Sequence, residues 1–71
     1  MAEEVRAPLA GKIFALSADV GSKVDEDDEV LVIEALKMET IVYSPSAGTL
    51  KEFKVKEGDQ VEEDDLLAVI E

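Results

Sequence analysis

The residues of this 71-residue chain that offer chemistry come down to one lysine. The chain has no histidine and no cysteine. That removes the commonest general base at neutral pH, the commonest metal ligand and every thiolate site. Acidic residues are plentiful, but their densest runs, Asp25 to Glu29 and Glu62 to Asp65, read as solvated turns. The first run lacks the glycine and ligand spacing of an EF-hand loop, so no metal site is expected. What remains is Lys37, within Glu34-Ala35-Leu36-Lys37-Met38-Glu39-Thr40. Its amine is a nucleophile once it sheds its proton. Leu36 and Met38 flank it with apolar side chains where a turn normally carries polar ones. Apolar residues exposed at such a place suggest that another surface covers them, and methionine, flexible and polarizable, suits that contact. The alternative is that both fold back over the chain's own core.

An internal repeat singles this lysine out. A shift of 37 positions lays Val5-Arg6-Ala7-Pro8-Leu9-Ala10-Gly11 on Val42-Tyr43-Ser44-Pro45-Ser46-Ala47-Gly48. The register holds without a gap through Gly21/Gly58, Val24/Val61 and Glu26-Asp27-Asp28/Glu63-Asp64-Asp65, and ends with Val32-Ile33-Glu34 on Val69-Ile70-Glu71. The copies span about residues 5–34 and 42–71, and the segment between them, 35–41, has Lys37 near its middle. The whole of 1–71 is expected to form a single domain.

Strands must position the lysine. Val30-Leu31-Val32-Ile33 and Leu66-Leu67-Ala68-Val69-Ile70 are short runs rich in branched residues, the right length for buried strands and short for core helices. Val5 and Ile41-Val42-Tyr43 open the two copies, and Pro8 and Pro45 end those opening strands or hold an edge. Gly11 and Gly48 suit a turn or a close backbone approach, and Gly21-Ser22 and Gly58-Asp59 read as turns. Leu50, Phe53 and Val55 in one copy, and Ile13, Leu16 and Ala18 in the other, slip in phase by one residue. A β-bulge or strong bend near Phe14-Ala15 and near Lys51-Glu52 would produce that slip, leaving Phe14 more exposed than Phe53; a break in the strand is the alternative.

The resulting expectation is an all-β fold: eight short strands in two four-stranded antiparallel sheets, packed as a flattened barrel or sandwich with an internal pseudo-two-fold. The expected core is Val5, Ile13, Leu16, Val20, Val24, Val30, Val32, Ile41, Leu50, Phe53, Val61, Leu67 and Val69. The lysine lies on the hairpin between the copies. Symmetry places the two chain ends close together, at the end away from the lysine.

The net charge of −11 disfavours nucleic acid and anionic membrane as partners. No apolar run approaches the ~20 residues that span a bilayer. The acidic start Met1-Ala2-Glu3-Glu4 lacks a signal-peptide pattern. The expected setting is the cytoplasm, with membrane association only through a complex, or an organelle matrix if the chain is cut from a longer precursor. Without a catalytic constellation, the chain is not expected to be an enzyme on its own.

Glu34-Ala35-Leu36-Lys37-Met38-Glu39-Thr40 resembles the attachment motif of biotinyl domains, usually written Ala-Met-Lys-Met. The resemblance covers essentially the whole chain, including Ala-Pro-Leu-Ala-Gly, Ser-Pro-Ser-Ala-Gly, the Glu-Gly-Asp-Gln-Val turn and the 34 residues after the lysine. Leu36 stands where most of the family has methionine, a volume-conserving change. The resemblance implies a biotin carboxyl carrier domain, a barrel-sandwich hybrid whose Lys37 receives covalent biotin from a biotin protein ligase. The lysine would then shuttle carboxylate between a biotin carboxylase and a carboxyltransferase or decarboxylase. Ala35, Leu36 and Met38 would form the flanking motif, and Glu34 and Glu39 would be ligase contacts. The related lipoyl domains share the fold but typically carry Asp-Lys-Ala at the tip; a lipoyl carrier or an unmodified structural barrel are the alternatives.

Overall fold

The computed structural model describes residues 2–71, which form eight β-strands. In chain order these are β1 (Glu3–Arg6), β2 (Gly11–Leu16), β3 (Lys23–Val24), β4 (Glu29–Ala35), β5 (Met38–Tyr43), β6 (Gly48–Phe53), β7 (Gln60–Val61) and β8 (Leu66–Ile70). They make two four-stranded antiparallel sheets, ordered β1-β8-β6-β3 and β5-β4-β2-β7. The body is 32 Å long and 17 by 16 Å across. The branched runs β4 and β8 take inner positions in their sheets, where both flanks are paired and apolar residues are best used. Three of the four edge strands, β1, β3 and β7, are charged or short, which discourages pairing with other chains.

The halves are not separable. Sheet one takes β8 and β6 from the second copy but β1 and β3 from the first; sheet two makes the reciprocal exchange with β5 and β7. Each glycine turn also hooks the other copy. Gly21 N–H donates to Leu50 O at 2.8 Å and Leu50 N–H to Ser22 O at 2.9 Å, while Gly58 N–H donates to Ile13 O and Ile13 N–H to Asp59 O, both at 2.8 Å. Gly21 and Gly58 share a φ of +93°, a conformation that glycine adopts without a Cβ penalty.

The acidic turns are built, not merely solvated. Asp28 Oδ2 accepts from Asp25 N–H and Asp65 Oδ2 from Glu62 N–H, each at 2.8 Å. Asp27 and Asp64 stand at φ 70° and 71°. The first turn then docks on Ser44, with Asp27 N–H on Ser44 O at 3.0 Å and Ser44 N–H on Asp28 O at 2.8 Å; the second docks on Ala7 in the same way. Ser44 is buried, and its hydroxyl donates to Ser46 O at 2.6 Å, so it leaves no unmet polar group.

Both expected bulges are present. The β2–β4 register shifts between Ile13 and Ala15, and the β6–β8 register shifts between Leu50 and Glu52. Phe14 is more exposed than Phe53. A second pair of shifts, between Glu29 and Leu31 in β4 and between the partners of Val5 and Arg6 in β8, has no counterpart in the sequence reading. It corrects the expected core. After Val30 and Leu67 the strands change parity, so Leu31, Ile33, Ala68 and Ile70 turn inward, while Val32 and Val69 are only half-buried. Ile41, paired with Val32, turns outward with it, and Val42 is buried instead. Leu16 and Phe53 pack at the edge of the core. Val20 is exposed; it lies in the loop before Gly21, where the other copy has Glu57. Val5, Ile13, Val24, Val30, Leu50, Val61 and Leu67 are buried as expected.

Gly11 and Gly48 are sites of close approach. A Cβ on Gly11 would lie 2.6 Å from Ile33 Cγ2 and 2.7 Å from Glu34 O; one on Gly48 would lie 2.8 Å from Ile70 Cγ2 and 2.9 Å from Glu71 O. Glu3 pairs with Ile70, so the two ends of the chain run side by side, in the place that the repeat makes equivalent to the lysine hairpin.

Candidate functional site: the lysine hairpin

The β4–β5 ladder runs from Val32↔Ile41 through Ile33↔Thr40 and Glu34↔Glu39 to Ala35↔Met38, where it closes through Leu36 and Lys37 alone. Both turn residues have positive φ, 51° at Leu36 and 65° at Lys37. That is the backbone sense of a two-residue type I′ turn, whose twist matches the flanking strands. Such turns favour Asn-Gly because a Cβ is penalised at both positions. Nothing in the local composition announces the turn. The ladder on either side imposes it, at a cost of about 1–2 kcal/mol for each non-glycine residue.

The turn sends its side chains outward. Leu36 is 96% exposed, Met38 is 68% exposed and Lys37 is exposed, so folding back over the core is ruled out. Among the described residues no carboxylate lies within ion-pair distance of Lys37. The nearest acidic positions in the ladder, Glu34 and Glu39, are exposed and directly opposite each other. Like charges so placed disfavour the hairpin by a few tenths of a kcal/mol, and Lys12, opposite Glu34 on β2, offsets part of that. Ala35 is half-buried.

The sequence reading brought Glu34, Ala35, Leu36, Lys37, Met38 and Glu39 to one tip, and the structure places all six there. Gly11, which the sequence marked for a turn or a close backbone approach, makes that approach here and seats the tip. Gly11 lies under the neck of the hairpin, where an added Cβ would meet Ile33, Glu34 and, at 3.2 Å, Ala35 Cβ. The signal was a glycine within a strand, which marks close backbone approach. The geometry presents one primary amine, flanked by two bare apolar side chains, on a two-stranded arm. Among the described residues no ion pair or side-chain hydrogen bond engages that amine.

Comparison with known proteins agrees with that geometry. Methylmalonyl-CoA decarboxylase subunit gamma of Veillonella parvula is 36% identical over 44 residues, covering 62% of this chain and 34% of that one. The mitochondrial methylcrotonoyl-CoA carboxylase subunit alpha of Arabidopsis thaliana is 42% identical over 41 residues, covering 58% of this chain and 6% of that one. Among solved structures, the urea carboxylase of Kluyveromyces lactis superposes on 99% of this chain with a TM-score of 0.94 at 37% identity, using 6% of its own length. The chain thus spans about a third or less of the relatives it matches. The family described as "Biotin-requiring enzyme" matches residues 3–70, nearly the whole chain, and the chain belongs to that family.

Proposed function

We propose that Lys37 is the site of covalent biotin attachment and that residues 1–71 act as one carrier domain of a biotin-dependent carboxylase, transcarboxylase or decarboxylase. The observation that carries this reading is the tip itself. At the one segment that the repeat leaves single, a two-residue turn holds Lys37 outward between bare Leu36 and Met38. Family membership supports biotin as the group, and the open amine fits it.

The chain's part in attachment is to present Nζ. A lysine amine is largely protonated at neutral pH, so the ligase must supply the base or the desolvation that frees it. Nζ then bonds to the carboxyl carbon of biotinyl-adenylate, AMP leaves, and the displaced proton passes to the ligase or solvent. Leu36 and Met38 give the ligase apolar surface, and Glu34 and Glu39 give it charge to recognise. Attached biotin supplies a ureido nitrogen able to carry carboxylate; the chemistry is the cofactor's, and position and reach are the protein's. The lysine and biotin together make an arm of roughly 14 Å, less than half the 32 Å length of the domain. The body must therefore travel with the arm between a biotin carboxylase and a carboxyltransferase or decarboxylase, and tethering raises its effective concentration at both.

Intact mass and peptide mapping after co-expression with a biotin protein ligase test the reading. A gain of about 226 Da on the peptide containing Lys37, absent from Lys37→Arg, is the expected result. Labelling at another lysine would overturn it. A gain of about 188 Da with a lipoyl ligase and none with biotin would move the chain to acyl or aminomethyl transfer.

A further inference from the structure

Two surfaces that the repeat makes equivalent are chemically opposite. On the outside of the lysine-bearing sheet, register aligns Phe14, Ala15, Val32, Ile41 and Tyr43. Ile41 pairs with Val32, Val32 pairs with Ala15 beside the bulged Phe14, and Tyr43 lies two residues beyond Ile41. Phe14 is 52% exposed and Tyr43 50%; the other three are half-buried. The same positions in the other copy are Lys51, Glu52, Val69, Glu4 and Arg6. There the side chains make the ion pairs Arg6–Glu4 at 2.6 Å, Lys51–Glu71 at 2.9 Å and Lys54–Glu52 at 3.0 Å.

The strand pairing is the same in both copies. The fold therefore accepts charged side chains at these places and does not require the two aromatic rings. The chain contains its own control, and the rings on one face call for a reason other than folding. The rim of that face is acidic. Glu29 lies across from Tyr43, and Glu34 and Glu39 lie between the apolar strip and the tip, with the single cation Lys12 beside Glu34. A second copy would bring net charge −11 against −11 and set the same acidic rim against itself, which disfavours self-association. Charge complementarity points to a protein with an apolar centre and a Lys/Arg rim. Two half-exposed rings present only about 200 Å², far below a standard stable interface. A contact of that size suits a partner met and released in every turnover better than a ligase that acts once.

We infer that this face docks the carboxylating partner, holding the body of the domain while the arm on Lys37 enters the partner's site. The inference rests on the carrier reading. It is tested with Phe14→Lys/Tyr43→Arg, which installs the side chains found at the equivalent positions of the other copy; Tyr43→Arg alone is the milder variant. Three readouts are taken on each chain: biotinylation by intact mass, thermal melting, and KM and kcat with a purified biotin carboxylase that turns over the biotinylated wild type with ATP and bicarbonate. The expected result is complete biotinylation, a melt within a few degrees of wild type, and KM raised about tenfold with kcat held. The wild-type KM should also rise with salt as the acidic rim is screened. An unchanged KM overturns the inference. So does slowed biotinylation with unchanged KM, which would assign the face to the ligase, or a wild-type dimer in sedimentation that the variant abolishes. A wild type that takes no biotin overturns the carrier reading and the inference together, and is distinguished by the first readout.

Discussion

Leu36→Asn/Lys37→Gly should make the protein more stable while removing the lysine. The two residues stand at φ 51° and 65°, and each side chain there costs about 1–2 kcal/mol relative to a residue at ease in that region. Asn-Gly is the pair that a type I′ turn favours. Little burial is lost, because Leu36 is 96% exposed and Lys37 is exposed. Against the relief stands the extra freedom that glycine gives the unfolded chain, about 0.5–1 kcal/mol. Asparagine keeps its Cβ and recovers only part of the cost at position 36, so the balance is a gain of about 1 kcal/mol, which in a domain of this size raises Tm by about 4–8 °C. Thermal melts and urea titrations of wild type, Leu36→Asn and the double variant measure it. Leu36→Asn alone should give about half the gain, with Lys37 still in place, so biotinylation can be followed in the same protein. A Tm that is unchanged or lowered would refute the reasoning, because it would mean that the apolar tip residues contribute to stability or that the turn carries no strain. A confirmed gain would mean that stability has been given up at the tip in favour of what the tip presents, a common trade at functional sites.

Other expectations follow from the same geometry. Gly11→Ala and Gly48→Ala should each destabilise by about 1–3 kcal/mol through overpacking, since the new Cβ meets a backbone carbonyl as well as a side chain. Gly21→Ala, with open space around it, should lose only the cost of φ, about 1 kcal/mol; equal losses at all three sites in denaturant titrations would contradict the steric account. Asp65→Ala should lose about 1 kcal/mol, read by melting, because its carboxylate accepts the Glu62 N–H that closes the second acidic turn. The Lys51 ammonium, hydrogen-bonded to Glu71 and attracted by its charge, has its pKa raised above the ordinary lysine value of 10.5. Its contribution is fully present below that value and is lost as pH climbs through the raised pKa. The stability difference between wild type and Lys51→Gln should therefore be constant at neutral pH and shrink only above about pH 10.5; a difference that shrinks on acidification above pH 6 would contradict that assignment.

The repeat made most of the fold legible. Its register located the hairpin, the paired chain ends and the bulges at Phe14 and Lys51, because a phase slip that occurs twice at the same place is a structural signal. Core parity in β4 and β8 was not legible. Val30-Leu31-Val32-Ile33 and Leu67-Ala68-Val69-Ile70 are apolar throughout, so the sequence shows no alternation from which a second bulge could be read. Val20 was misplaced although its twin, Glu57, marked the position as solvent-facing. The tip was located by the repeat, but its left-handed turn left no trace in the types of Leu36 and Lys37, because the ladders that enforce it are distant in sequence. The difference between the two outer faces was present in the pairs Phe14/Lys51, Ile41/Glu4 and Tyr43/Arg6. It becomes meaningful only when the pairing shows that those residues share a surface.

The exchange of strands between the copies has a consequence in time. β8 is an inner strand of its sheet, yet it is made last, and β1 lacks its partner until β8 exists. The sheet that bears Lys37 likewise lacks β7 until residues 60 and 61 are available. As the chain is synthesised, Lys37 emerges after β1–β4 and before β5–β8. No fragment that stops before β7 can close either sheet, and the long-range pairings form only once the later strands are present. An enzyme that reads the hairpin as the closed sheet holds it would act only after β7 has joined that sheet.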